Sequence, residues 1–409
     1  MIVVAHPTGN SNVRAVLGAV AQAGLLAEFC TTLAFDRSAG WLRYVPDGLR
    51  RELLRRAYDI PPGLVHTRPW REAVRLSIAR GPLRVRAAQA GGWTSVSAVY
   101  RDLDEYVARR LPGMKNLRGV YAYADAAISS FGAAKHLGLK CFYDLPIAYC
   151  RTSRLLLEEE AARHPEWGAT LTAINSAEEM DREDDELRRA DAIFCASGFV
   201  LDSLPDWVRR SKDVVVAQFG SPARSTEPRE ERVEKRGKLR VLFAGGMSQR
   251  KGLADLFGAM RRLNRTDLEL VVMGSLIAPM EFYRREYPDF VYEPTRPHVE
   301  VLRLMRSCDV FVLPSIVEGR ALVMQEAMSQ GLPILITANT GGEDLVEPGR
   351  TGFLVPIRSP ETIADRLDWF ADHRAETRAM GEAACAKAET YTWAAYGAKI
   401  VAAIERHLA

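Results

Sequence analysis

Short apolar runs alternate along this chain with longer segments whose apolar positions recur at three- and four-residue spacing. In the first half the runs are 1–5, 28–33, 119–123, 140–143, 192–196 and 214–217; in the second they are 239–244, 268–273, 310–313 and 334–337. Runs this short, without polar alternation, read as strands buried on both faces, and the helical stretches between them read as crossovers. That rhythm predicts an α/β fold of parallel, doubly wound sheets. Between 220 and 237 the pattern stops: Ser-Pro-Ala-Arg-Ser-Thr-Glu-Pro-Arg-Glu-Glu-Arg is polar, Pro-punctuated and without apolar period. The expected organisation is therefore a first Rossmann-like domain over 1–219, a linker over 220–237 and a second domain over 238–388, with a final helical segment over 389–409. No tandem repeat at solenoid period is present.

The most informative stretch lies around the third strand-to-helix junction of the second domain. Pro314-Ser-Ile-Val-Glu318-Gly-Arg-Ala-Leu-Val-Met-Gln-Glu326 places two carboxylates eight residues apart, and Gly331-Leu-Pro333 follows. Helical spacing over 321–329 puts Glu318 in the loop before a helix and Glu326 within it. A helix start offers unpaired N–H groups and a positive dipole end to an anion, and carboxylates accept hydrogen bonds from neutral hydroxyls. Phosphate beside polyol suggests a sugar nucleotide. Upstream, Leu242-Phe-Ala-Gly245-Gly246-Met-Ser-Gln-Arg250-Lys251-Gly252 ends a strand in a glycine turn and sets a cationic pair before the next helix. Taken alone, such a pair is more often a solvated surface feature, and an isolated pair of glutamates is more readily an exposed helix residue and a dipole-favoured N-terminal charge.

Together these motifs resemble the retaining GT4-type glycosyltransferases of GT-B fold, glycosyl transferases group 1. The Glu-x7-Glu pattern carries the resemblance, with Gly349-Arg-Thr-Gly-Phe-Leu-Val-Pro356 and Tyr391-Thr-Trp393-Ala-Ala-Tyr396 extending it over most of 238–409; the first half matches mainly in element order. The resemblance implies two domains facing across a cleft, the first on the acceptor side and the second on the donor side, with the last helix crossing back to the first. It implies a donor site of Gly245, Gly246, Arg250, Lys251, Glu318, Gly319, Arg320, Ala321, Leu322 and Glu326. Within it, Glu326 would bond the ribose hydroxyls, Glu318 the transferred sugar or its phosphate, and Arg250 with Lys251 the diphosphate. Two departures stand out: Gly246 where the family most often has Arg, and Arg320-Ala321 where it more often has an aromatic residue followed by Gly.

In the first domain, the loop His6-Pro-Thr-Gly9-Asn10 between a strand and a helix expected near Val13 is placed like the family's N-terminal glycine loop facing phosphates and acceptor. His6 is a candidate proton relay or an ordinary hydrogen-bonding residue. Asp144, at the end of another strand, matches the position where many relatives carry a His that touches the donor sugar; it could equally cap the Leu145-Pro146 turn. No motif nominates a nucleophilic carboxylate for double displacement. The expectation is front-face substitution with retention, in which the departing diphosphate, held by Arg250, Lys251 and helix N-termini, helps deprotonate the acceptor hydroxyl without a metal. Asp102-Leu-Asp104 reads as a solvated helical face. A GT-B-fold sugar-nucleotide epimerase or hydrolase, and a non-catalytic sugar-nucleotide-binding subunit, are the alternatives.

Composition narrows the setting. At 409 residues with 47% apolar and 26% charged side chains the chain suits two globular domains, and a net charge of +3 names no partner. Its six cysteines show no C-x-x-C or Cys/His spacing and read as reduced core residues of a cytoplasmic protein; no cofactor beyond the nucleotide-diphosphate sugar co-substrate is called for. The start shows no basic-then-apolar leader, and no run reaches membrane-spanning length. Between Arg43 and Arg86, however, eleven arginines face four acidic residues, with Leu49, Leu53, Leu54 and Ala57 at helical spacing near Trp41 and Trp70. That segment is either a peripheral basic surface for anionic lipid at the inner membrane face or for a lipid-diphosphate acceptor, or an ordinary amphipathic helix covered by arginine stems. The stacking platform of a nucleic-acid binder is absent.

Overall fold

Parallel strands pair only through crossovers, so each strand run must be followed by a helix that returns the chain to the same edge. The computed structural model, which describes residues 1–79, 92–93, 95–171, 175–224 and 237–409, shows this arrangement twice. The first sheet has the order β3-β2-β1-β4-β5-β6-β7, from β1 (Ile2–Ala5), β2 (Leu26–Thr31), β3 (Val65–Thr67), β4 (Gly119–Tyr123), β5 (Lys140–Leu145), β6 (Ala192–Cys195) and β7 (Asp213–Val216). The second has the order β10-β9-β8-β11-β12-β13, from β8 (Leu239–Ala244), β9 (Leu268–Met273), β10 (Phe290–Glu293), β11 (Val310–Leu313), β12 (Ile334–Ile336) and β13 (Gly352–Leu354). All pairings are parallel.

Each of the ten expected runs coincides with a strand to within two residues. The strands not anticipated are β3, β10 and β13, three edge strands of three or four residues with partly exposed side chains. An edge strand buries less and needs no continuous apolar run. Strand order reverses between β1 and β4 and again between β8 and β11, which opens a crevice at the carboxyl end of each sheet. Two helix starts also move: the first helix is Ser11–Gln22, and the one after Glu318 is Leu322–Ser329 with Ala321 as its N-cap.

The lobes are joined by more than the polypeptide connection. The last helix, Trp393–Leu408, lies against Ser11–Gln22, with Gly397 packed directly on Ala15 and Ala19, and buries Tyr396, Ile400, Ala403, Ile404 and Leu408 in the first lobe's core. In the other direction Trp167, 1% exposed, leaves the first lobe and packs edge-on against Phe257, Phe282 and Tyr283 of the second. The Gln249 N–H donates to Thr170 Oγ1 at 3.1 Å and its side-chain amide to Glu160 at 2.7 Å, while Arg358 pairs with Glu160 and, at 2.8 Å, with Glu159. Residues 225–236, most of the expected linker, lie outside the described residues, as do 80–86 of the arginine-rich segment.

The reading of Asp102-Leu-Asp104 as solvated is corrected. Asp104 is 1% exposed and accepts the N–H groups of Ser129 and Ser130 at 2.6 and 2.9 Å, capping the helix Ile128–His136 from another element, and Asp102 accepts from Arg68 at 3.0 Å. Such distant caps carry no local sequence signal, unlike an N-cap on the same helix. Two further carboxyls do the same: Glu183 accepts the Cys150 N–H at 3.0 Å, and Glu186 accepts those of Asp125 and Ala127 and the Tyr143 hydroxyl. All six cysteines are buried and none is in a disulfide. Among the described residues no helix is long and apolar enough to cross a membrane.

Burial pushes the Glu183 carboxyl up to about 8 and that of Glu186 up to about 7, against an ordinary 4.5. The folded protein then holds protons that the unfolded chain releases. Stability from these groups is fully present below pH 4.5 and is lost as pH rises through 7 to 8. Urea midpoints should therefore fall between pH 5.5 and 8, and Glu183→Gln, which keeps an oxygen acceptor for Cys150, should flatten that slope; an unchanged slope would contradict the assignment.

Candidate functional site

Gly245 and Gly246 follow β8, and the Pro314–Glu318 loop follows β11, so both flank the second sheet's switch point. Gly245 takes φ +155°, and the Lys251 stem runs alongside at about 3.5 Å from where a Cβ would stand. Gly252, at φ +73°, starts the helix Leu253–Leu263 so close to the Pro314 carbonyl that any side chain would overlap it. This packing brings Gln249–Lys251 against the β11 loop, where the Ile316 N–H donates to Arg250 O at 2.9 Å.

The result is a concentrated charge cluster. Glu318, 8% exposed, forms an ion pair with Arg250 Nη1 at 2.8 Å and another with Lys251 Nζ. Arg250 donates further to Val317 O. Burial lowers the Lys251 pKa, opposed by the Glu318 charge and assisted by Arg250. A largely desolvated carboxylate between two cations leaves net positive charge facing the cleft, which is the complement of an anion. Eight residues on, Glu326 lies in Leu322–Ser329 and its Oε1 meets His298 Nε2 at 3.0 Å. The start of that helix has no side-chain cap.

These groups surround a cavity of about 900 Å³ lined by Gly245, Gly246, Lys251, Glu318, Arg320, Ala321, Leu322 and Glu326 from the expected donor set. Arg250 pairs with Glu318 behind it, and Gly319 sits in the same loop. Gly319 has a further role: a Cβ there would overlap the Pro146 carbonyl, and its own carbonyl accepts the Ser197 hydroxyl at 2.6 Å. The two lobes meet backbone to backbone at this point. Although Arg320 lines the cavity, its guanidinium is engaged elsewhere, donating to Gln325 at 2.9 Å, Gly341 O at 3.1 Å and Asp344 at 2.7 Å and lying over the Tyr391 ring.

The first lobe's candidates sit apart from that lining. His6 is fully buried, its Nδ1 accepts the Thr8 N–H at 3.0 Å, its ring lies 4.2 Å from that of Tyr123, and burial pushes its pKa down to about 3, so it is neutral at pH 7. Asp144 is 2% exposed within β5, with its carboxyl pushed up to about 7 by burial. It does not cap the Leu145-Pro146 turn by any bond found among the described residues; that turn instead meets Gly319. The Gly9 carbonyl accepts Arg14 Nε at 3.1 Å, and Asn10 is the exposed N-cap of Ser11–Gln22 without a side-chain bond. Sequence reasoning missed His298 and Arg55, both of which line the cavity. The only local signal was Thr295-Arg-Pro-His298, a Pro ahead of a helix start.

Two facing doubly wound domains with a nucleotide-sized cavity between their switch points define the GT-B fold. Residues 225–387 match the family described as Glycosyl transferases group 1. A D-inositol 3-phosphate glycosyltransferase of Paenarthrobacter aurescens is 31% identical over 164 residues, 37% of this chain and 40% of its own. A putative colanic acid biosynthesis glycosyltransferase, WcaL, of Salmonella typhimurium is 31% identical over 150 residues, 33% of this chain and 37% of its own. The matches thus span less than half of these relatives' lengths. Among solved structures, sucrose-phosphate synthase from Thermosynechococcus elongatus aligns with TM-score 0.68 and 17% identity over 100% of this chain and 98% of that one. Anabaena HepE in complex with UDP-glucose aligns with TM-score 0.59 and 16% identity over 99% of both.

Because Gly319 is where the lobes touch, Gly319→Ala should destabilise the protein by about 1–3 kcal/mol through forced separation of two backbones. Chemical denaturation of the variant measures this, and an unchanged midpoint would show that the lobes separate freely.

Proposed function

We propose that this protein is a retaining glycosyltransferase that moves a sugar from a nucleoside-diphosphate donor to a hydroxyl of a glycan, lipid-linked or small-molecule acceptor. The observation that carries this reading is the convergence of Lys251, Glu318 and Glu326 on one cavity between the lobes, with Arg250 paired to Glu318 behind it. Glu326, on its helix, accepts ribose hydroxyls in place of or beside His298. Arg250, Lys251 and the uncapped start of Leu322–Ser329 take the diphosphate, and the backbone at Gly245 and Gly246 lets it approach closely.

Chemically, the sugar–phosphate bond breaks as negative charge builds on the diphosphate, and fixed cations lower the energy of that charge most when water is excluded. The departing phosphate oxygen takes the acceptor proton on the same face, and the configuration is retained. Glu318 orients the transferred sugar once the diphosphate takes over its cations, without a metal being required for that step. HepE, crystallised with UDP-glucose, supports a nucleotide-sugar donor.

The acceptor side falls to the first lobe, together with a peripheral contact on anionic membrane. Exposed Trp41, Tyr44 and Trp70 support that contact, with Arg43 stacked over Tyr44 at 4.7 Å.

A thermal-shift screen against UDP, GDP, dTDP, ADP and their common sugars tests the donor site, since a ligand of the native state alone raises the midpoint by mass action. One base should give a selective shift. Lys251→Ala and Glu326→Ala should each weaken that nucleotide's binding about tenfold, while Glu318→Ala should lower turnover roughly 100-fold with a smaller change in KM. Full donor affinity in both of the first two variants would refute the site.

A further inference from the structure

One cationic residue of the donor cavity comes from the opposite lobe. Arg55 lines the same cavity as Gly245, Lys251, Glu318 and Glu326, yet it lies just past the helix Asp47–Leu54 of the first lobe. The backbone that delivers it is held with unusual completeness for a surface turn. Arg14, on Ser11–Gln22, donates to the carbonyls of Gly9, Arg55 and Ala57 and lies over the Tyr58 ring at 5.1 Å. The Phe35 N–H donates to Arg56 O at 3.0 Å, and the Arg56 side chain reaches Glu72 at 3.1 Å, a carboxylate only 3% exposed that also binds Arg75. Residues 55–57 are therefore fixed from three sides, while the Arg55 side chain itself is exposed toward the cleft.

Resting on the donor-site reading above, we propose that Arg55 is a phosphate-binding residue supplied across the cleft, and that it closes the first lobe onto the anion held by the second. A guanidinium presents a planar fork that pairs two oxygens of one phosphate, and among the residues lining the cavity Arg55 brings that fork from the first lobe. The cavity's own carboxylates already have cations from the second lobe: Arg250 and Lys251 for Glu318, His298 for Glu326. Phosphate oxygens have two sources in such a reaction, the donor diphosphate and a phosphorylated acceptor. Arg14 anchors the glycine loop and the Arg55 turn together, so the first lobe presents both from one rigid corner.

The test is calorimetric titration of the wild type, Arg55→Ala and Arg55→Lys at low ionic strength. The titrants are the nucleoside diphosphate selected in the screen, the matching nucleoside without phosphates, and glucose 6-phosphate onto the nucleotide-loaded protein. Arg55→Ala should weaken diphosphate binding about tenfold, leave the nucleoside unchanged, and be only partly rescued by Lys. A loss confined to glucose 6-phosphate would assign the contact to the acceptor's phosphate. Equal affinities of wild type and Arg55→Ala for diphosphate and for glucose 6-phosphate would overturn the proposal, as would equal losses for nucleoside and diphosphate. Failure of the wild type to bind any nucleoside diphosphate would instead remove the donor-site reading beneath it.

Discussion

Two sheets can share one cleft only if the loops at their carboxyl ends come together without side chains holding them apart, and in this protein that condition is met at Gly319. Its Cα faces the Pro146 carbonyl, and its own carbonyl takes the Ser197 hydroxyl. The residue on its amino side is Glu318 and the helix on its carboxyl side carries Glu326, so the point that sets the distance between lobes also sets the position of both carboxylates. Geometry of the cleft and geometry of the site are one constraint. Nearby, the Arg320 guanidinium binds Gln325, which in turn donates to Phe219 O and Ser221, where the chain leaves the first lobe. A residue that motif comparison places on the donor is thereby also a strut between the site and the crossing point.

The charge cluster follows from the same closeness. Taking a carboxylate out of water costs several kcal/mol unless cations and hydrogen bonds compensate, roughly in the way a buried ion pair breaks even. Glu318 has two cations, one of which, Lys251, has its own charge disfavoured by burial. The cluster is thus held in a state where an incoming anion relieves the lysine's desolvation cost. A surface pair would contribute little to such a binding energy. Here partial burial of Glu318 and Lys251 makes the field count.

Strands buried on both faces were legible because an apolar run leaves no other reading once its length is short, whereas β3, β10 and β13 bury too little to leave one. The junction at Glu318 was legible because helix start, glycine and carboxylate all fall within one stretch. His298 and Arg55 were not, since they arrive from 28 residues before Glu326 and from the other lobe, and nothing local marks either. Asp104 illustrates the same limit: its partners Ser129 and Ser130 lie on another helix, so a charge in a charged helical stretch looks solvated until tertiary packing is known. For His6 and Asp144, strand position indicated the correct edge of the sheet, but not that both side chains would turn into the protein's interior.

The placement of Trp167 bears on how such proteins can be recombined. In linear order it belongs to the first lobe, yet its indole completes the aromatic cluster of Phe257, Phe282 and Tyr283 in the second, and the last helix makes the reverse trip. Each lobe therefore borrows part of its interior from the other's stretch of chain. A chimera that exchanged first lobes at the interdomain connection would leave one core without its tryptophan and the other with a foreign helix. The heritable unit of exchange is consequently larger than either sheet, and change is more readily accommodated in the loops at the rim than through the swapping of whole lobes.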